Sequence, residues 1–275
     1  TAQPTLNEPL INSPYYSGPL SQAIGQMQGI RRLIEQLWQQ LDDQQTAFKL
    51  TIESELPAER GMGSSAATAI AIIRALFTFY HQELNQRDLL KLAALSENMI
   101  HGNPSGIDAA TTGATTPLWF VKSQPLQPLP IDLQGYLVIA DSGQKGQTGP
   151  AVKSVQNQMM SNPERTQPLI THIGELSQAV ATNIAQNQLT ALGQNLSLAQ
   201  DDLRALGVSN SRIDALIETA NQAGSLGTKL TGGGRGGCII ALAKTQTNAE
   251  QLAQQLRQAG AIKTWIQPLH ALHTN

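Results

Sequence analysis

A single cysteine, Cys238, stands in the 275 residues. One thiol excludes an intrachain disulfide and a cysteine-rich metal centre. Charged residues are scarce at 14%, aromatics make up 4%, and the formal net charge is −2. Without a basic excess the chain lacks the electrostatic footprint of a nucleic-acid binder. Any anionic ligand must therefore be held locally, by backbone amides and a few cations. No apolar run reaches the ~20 residues that cross a bilayer, and no signal-peptide pattern opens the chain. No membrane partner is expected, and the cytoplasm is the expected compartment. An initiator methionine is also missing: the chain starts at Thr1, in a stretch punctuated by Pro4, Pro9, Pro14 and Pro19. This start reads as that of a fragment or a processed polypeptide, and residues 1–20 read as loop or isolated extended pieces.

What is present suits one large or two ordinary globular domains, with 40% hydrophobic residues. Ile30, Leu33, Ile34, Leu37, Trp38 and Leu41 recur at helical spacing and predict a helix over 21–41. Residues 48–54 alternate as a half-buried strand. A glycine loop and a second helix to about His81 follow. Asn85, three residues ahead of Asp88, predicts the cap of a helix over 87–100. Residues 117–122 and 136–140 read as strands, and 141–149 as a polar loop. Helical stripes then run through Leu169–Ile184, Leu192–Leu203 and Ile213–Ala220. The end reads strand, strand, helix, strand over 228–231, 238–243, 248–259 and 262–269. Helices grouped apart from strands predict an α+β fold, divided into 1–145 and 146–275.

Three segments carry the chemistry. In Gly61-Met62-Gly63-Ser64-Ser65-Ala66-Ala67, glycines precede a strong helix, so backbone can approach a ligand and free amides can meet an anion. The Ser64 and Ser65 hydroxyls suit a phosphate oxygen or a metal ion. No lysine follows the last glycine, which excludes a Walker A loop; taken alone, the segment is equally well a serine-capped helix start. In the second segment, Glu97 and His101 share a helix face ahead of Gly102-Asn103-Pro104-Ser105-Gly106, and Asp108 follows that loop. Two carboxylates so placed suit one Mg²⁺ ligand and one base for a hydroxyl, although Asp108 as a simple turn cap is the blander alternative. The third, Lys229-Leu230-Thr231-Gly232-Gly233-Gly234-Arg235-Gly236-Gly237-Cys238, contains G-x-G-x-x-G. It leads into an apolar strand instead of a helix, against a dinucleotide fingerprint. It reads as a turn lying close to a ligand or to the first glycine loop. Cys238 reads as a small core residue, and His172, His270 and His273 as solvated.

These segments, in this order, resemble the GHMP family of small-molecule kinases. Leu56 to Ala67 looks like the family's phosphate loop, and Lys229 to Cys238 like its third motif, with Gly233 and Arg235 in place of the more usual Ala and Gly. Glu97 to Asp108 is most similar to the members that act on mevalonate. The resemblance implies two α+β domains with the site in the cleft between them. It implies ATP-dependent, Mg²⁺-dependent phosphorylation of the 5-hydroxyl of mevalonate, and it admits a homodimer. Asp108 would be the base, with Ser105 beside it; Ser65 and Glu97 would hold Mg²⁺. Pro57, Glu59, Arg60, Gly61, Met62, Gly63, Ser64, Ser65, Ala66, Thr148, Gly233 and Gly234 would line the nucleotide. A phosphomevalonate kinase is the nearer alternative and would call for extra cations, for which Lys122 and Lys145 are candidates. A noncatalytic nucleotide-binding homologue is the other. The family's first motif, with a Lys and a His, has no counterpart; Lys49 lies inside a strand. The N-terminal strands are expected to be missing, and a polypeptide that began at Thr1 would show weak or absent catalysis and an exposed sheet edge.

Overall fold

The computed structural model describes residues 1–5, 8–41, 46–101 and 105–270. By their contacts the residues form two units, Thr1–Ala58 with Gly63–Pro128, and Glu59–Met62 with Leu129–Asn275.

The first unit begins with short strands paired into a sheet, where the prolines suggest loop or isolated extended pieces. Strands β1 (Ala2–Pro4), β2 (Leu10–Ser13), β3 (Tyr16–Pro19) and β4 (Phe48–Thr51) form one sheet in the order β1-β4-β2-β3. Pro4 and Pro19 sit at strand ends, Pro9 just ahead of β2, and Pro14 in the hairpin turn, so none removes a donor from the middle of the ladder. The helix expected from residue 21 starts later: α1 is Gln28–Gln40, preceded by single 3₁₀ turns at 20–22 and 25–27. Helices α2 (Ser64–Phe79), α3 (Gln86–His101) and α4 (Ile107–Gly113) follow. Asn85 caps α3 as expected, its Oδ1 accepting from the Asp88 amide at 2.9 Å. The short α4 carries too few turns to leave a periodic stripe in the sequence. Phe48, Leu50 and Ile11 of the sheet pack against Leu33, Ile34 and Leu37 of α1 and Ile72, Ile73 and Leu76 of α2. A two-stranded ribbon, β5 (Leu118–Trp119) with β6 (Gln127–Pro128), closes the unit and is shorter than the strand expected over 117–122.

The second unit is an antiparallel sheet with helices. Its elements are β7 (Tyr136–Asp141), α5 (Thr148–Ser161), α6 (Pro163–Ala185), α7 (Leu189–Ala205), α8 (Ser211–Gln222), β8 (Gly227–Leu230), β9 (Cys238–Ala243), α9 (Gln246–Gln258) and β10 (Lys263–Pro268). Strand order is β10-β7-β9-β8. Strand β7 is paired on both edges, which draws residues 129–145 into this unit, ahead of the division expected at residue 145. Val138, Ala140, Ile239 and Ala241 pack on Ile213, Leu216 and Ile217 of α8 and Leu252 and Leu256 of α9. Asn162, Asn210 and Thr245 cap α6, α8 and α9 through their side-chain oxygens. Helix α7 closes the outer edge of β8: the Leu230 amide donates to Oε1 of the buried Gln200 at 3.0 Å instead of to a further strand. Helix α5, unanticipated from its polar start, opens with Thr148-Gly149-Pro150 and buries Ala151. Among the described residues no helix is long and apolar enough to cross a membrane.

Candidate active site

In the first unit, Gly63 of the expected phosphate loop and the expected base are neighbours. Gly63 is the N-cap of α2, at φ 67° and ψ 23°, and no side chain caps the helix. The first-turn amides of an α-helix have no acceptor within it, so those of Ser64, Ser65 and Ala66 remain for a ligand, while Ala67 N–H bonds the Gly63 carbonyl at 2.9 Å. A β-carbon placed on Gly63 would lie 3.7 Å from Cγ of Asp108 and 3.5 Å from Cγ2 of Thr112. Asp108 is in the first turn of α4 and exposed. Its position is set by Gly106 at the N-cap and by Thr112, whose hydroxyl donates to the Asp108 carbonyl at 2.7 Å. Ser105 stands just ahead of that helix, its Oγ accepting from the Ile107 amide at 3.3 Å. Pro57 and Ala58 end this unit's first stretch of chain.

Glu97 lies on α3, which packs against both α2 and α4. It is a charged residue only 4% exposed. Its carboxylate and the Ser65 hydroxyl, in the first turn of α2, are hard oxygen donors of the kind Mg²⁺ takes together with phosphate oxygens. Among the described residues no group of three or more His, Cys, Asp or Glu could hold a metal ion without such help. The His101 side chain and residues 102–104 lie outside the described residues.

The start of the loop, Glu59 to Met62, belongs to the second unit. There Arg60 donates through Nε to Asp141 Oδ1 at 3.0 Å, and Asp141 is 1% exposed. The expected nucleotide ligand is thus the partner of a buried carboxylate, which removal of Arg60 would leave uncompensated. Arg60 also offers its carbonyl to the Cys238 amide at 3.1 Å, and Glu59 its carbonyl to the Gly146 amide at 2.9 Å. The glycine-rich turn links β8 to β9, closed by the Thr231 amide on the Cys238 carbonyl at 3.0 Å. It opens no helix. Of the two neighbours expected for it, the first glycine loop is one: a β-carbon on Gly232 would sit 2.6 Å from Cα of Gly61. A β-carbon on Gly233 would meet the Thr148 hydroxyl at 2.2 Å, so Thr148, at the first position of α5, lies directly against the turn. Gly234 accepts the Gln147 amide at 3.0 Å.

Burial tunes two groups beside this turn. The Lys229 amine is lowered to about 8 by burial and donates to the Leu230 carbonyl at 2.7 Å. The Cys238 thiol is pushed up to about 12, by burial first and by the Asp141 carboxylate second, against the opposing pull of Arg60. It is a core residue at the start of β9, as its apolar context indicated. Two of the histidines read as solvated also carry a partner: His172, its side chain 45% exposed, places Nδ1 2.7 Å from Asp202 Oδ2, and the His270 ring meets Tyr136 edge to face. His273 lies outside the described residues. The sequence reading puts Asp141 in the polar loop 141–149 and gives it no role, whereas it ends β7 and is buried; its one signal is a carboxylate ending the apolar run Tyr136-Leu137-Val138-Ile139-Ala140.

Comparison with known proteins gives concordant results. Residues 28–114 match the GHMP kinases N terminal domain, and residues 180–262 match GHMP kinases C terminal. The mevalonate kinase of Pyrococcus horikoshii is 32% identical over 225 residues, covering 80% of this chain and 66% of that protein. The mevalonate kinase of Pyrococcus abyssi is 30% identical over 234 residues, covering 83% and 69%. The chain therefore spans about two thirds of the length of these curated relatives. The solved structure of L. major mevalonate kinase in complex with R-mevalonate has the same fold, with a TM-score of 0.85 at 23% identity, covering 98% of this chain and 86% of that one.

Proposed function

The chain belongs to the GHMP kinases, and from that premise we propose that it transfers the γ-phosphoryl group of ATP to the 5-hydroxyl of mevalonate. The observation that carries the reading is the adjacency of Asp108 to Gly63, the N-cap of α2. It puts a proton acceptor next to a set of uncommitted amides at a helix start. The amides of Ser64, Ser65 and Ala66 bind phosphate oxygens, and the turn at Gly232 to Gly234 backs the loop that leads to them. Asp108 orients the hydroxyl and takes its proton as the oxygen bonds to the γ-phosphorus. The bond from that phosphorus to the bridging oxygen breaks, and ADP leaves with the electron pair. Phosphoryl transfer demands mostly positioning and charge neutralisation. Ser65 and Glu97 are the residues to hold Mg²⁺, which would supply charge neutralisation at the β- and γ-phosphate oxygens. Ser105 helps fix the loop that presents Asp108.

Mevalonate is favoured as acceptor over phosphomevalonate because relatives 32% and 30% identical to the chain are mevalonate kinases and Arg60 is committed to Asp141. An additional substrate phosphate would need a cation of its own. The test is ADP release with mevalonate, phosphomevalonate, homoserine and galactose offered separately. Turnover with mevalonate alone is expected; turnover with another acceptor and none with mevalonate refutes the substrate assignment.

A further inference from the structure

Asp108 rides on α4, a helix of only seven residues. A helix this short does not hold itself in place, so its neighbours must fix it. Those neighbours, α2 and α3, belong to the same unit. The buried face of α4 offers them Ala109 and Ala110, side chains too small to anchor it firmly. Near Asp108, α4 faces the N-cap of α2: a β-carbon on Gly63 would meet Asp108 and Thr112. At its far end Gly113 is wedged between side chains. A β-carbon added there would sit 3.0 Å from Leu90 Cδ2 of α3 and 3.5 Å from Ile70 Cδ1 of α2.

The Gly113 carbonyl belongs to the last turn of α4, and the residue four positions on, Pro117, has no N–H to give it. Two side chains supply what the backbone cannot. Arg74 of α2 donates to this carbonyl through Nη2 at 3.1 Å. Gln86, the first residue of α3, donates to it through Nε2 at 3.1 Å. A guanidinium is also the favoured charge at a helix C-terminus. Helix α2 therefore meets α4 twice: at Gly63, next to the amides that the proposed function gives to phosphates, and at Arg74, about 16 Å further along. Two points fix tilt as well as position, and tilt decides where the Asp108 carboxylate stands relative to those amides.

We propose that Arg74 and Gln86 are positioning residues for phosphoryl transfer: by bonding the last carbonyl of α4 they hold Asp108 at the acceptor hydroxyl. This rests on the reading of Asp108 as the base. Both residues act through the backbone of α4, away from the reacting atoms.

The experiment compares the wild type with Arg74→Met, Arg74→Lys, Gln86→Leu and the Arg74→Met/Gln86→Leu double variant, and repeats the double variant in an Asp108→Asn background. Coupled ADP release with mevalonate gives kcat and KM, calorimetry follows ADP binding, thermal melts report folding, and amide hydrogen exchange reports on α4. Arg74→Met is expected to lower kcat about tenfold and the double variant toward 100-fold, the scale of an ångström's misplacement. KM for ATP and ADP affinity should stay within about twofold. The melting temperature should fall by no more than about 4 °C, while the α4 amides exchange faster. Arg74→Lys, which keeps a charged donor, should recover most of kcat. With Asp108→Asn the double variant should cost little further, since no base is left to misplace. Should Arg74→Met melt early, Gln86→Leu alone decides by the same pattern. Unchanged kcat in the double variant overturns the proposal, as does unchanged exchange in α4, or an equal loss with and without Asp108→Asn. Asp108→Asn turning over like the wild type refutes the base reading itself. A loss there with none in the double variant refutes only the positioning role.

Discussion

The contact between Gly61 and Gly232 can be put to a quantitative test by adding one methyl group. Gly232→Ala requires a left-handed backbone, at φ 77°, and drives its β-carbon to 2.6 Å from Cα and 3.2 Å from the carbonyl oxygen of Gly61. Both obstacles are backbone, so neither can rotate away. Ordinary contact begins near 3.4 Å, and the turn must retreat from the phosphate loop by about 0.8 Å. The left-handed conformation alone costs about 1–2 kcal/mol, and overpacking adds about 1–3 kcal/mol. Gly224→Ala is the matched control, because Gly224 has a similar φ of 85° and nothing within 4 Å of an added β-carbon. Urea unfolding should show a loss of about 1–2 kcal/mol for Gly224→Ala with unchanged kinetics. For Gly232→Ala the loss should be about 2–5 kcal/mol, with KM for ATP raised toward 100-fold, the scale of an ångström's misplacement. Equal losses for the two variants, or a Gly232→Ala protein with normal KM for ATP, would refute the claim that the third motif supports the phosphate loop by contact.

Two further outcomes follow from the site. Asp108→Asn should lower kcat by about 10²–10⁴-fold while ATP binding, followed by calorimetry, stays within about twofold; unchanged turnover removes Asp108 as the base. Lys229, lowered to about 8 in the fold against an unfolded 10.5, resists burial of its charge. Between those values the unfolded chain holds more protons, so its contribution to stability rises with pH across that window and is unfavourable below it. Lys229→Met should therefore stabilise the protein near pH 7, with the gain over wild type shrinking toward pH 10 in urea titrations; a gain that does not change with pH refutes the assignment.

Much of the fold was legible in periodicity. Strand 238–243 and the stripes of α1, α2, α6, α7 and α8 fall where the apolar spacing put them, because each is long enough to bury a continuous face. The sheet formed by the strands before residue 20 was not, because four prolines dominate the segment and both β1 and β2 pair with β4, beyond α1. Of the site, the glycine loop and Asp108 could be read because glycine and carboxylate chemistry is local. The Arg60–Asp141 and Glu59–Lys145 pairs could not, since each joins residues more than 80 positions apart that carry no mutual signature in the chain.

The loop segment Glu59 to Met62 has a consequence for how the protein is made. These four residues leave the ribosome before the groups that fix them: Asp141 and Gly146 come first, then the Cys238 amide about 180 residues further on. At roughly 5–20 residues per second, the loop waits tens of seconds for its last partner. Cutting the gene after residue 128 would leave a first half lacking the anchor of its own glycine loop, and a second half lacking the residues that Asp141 and Cys238 engage. The contacts of this segment are thus complete only once residue 238 has been made, and a product truncated before Asp141 is denied all of them.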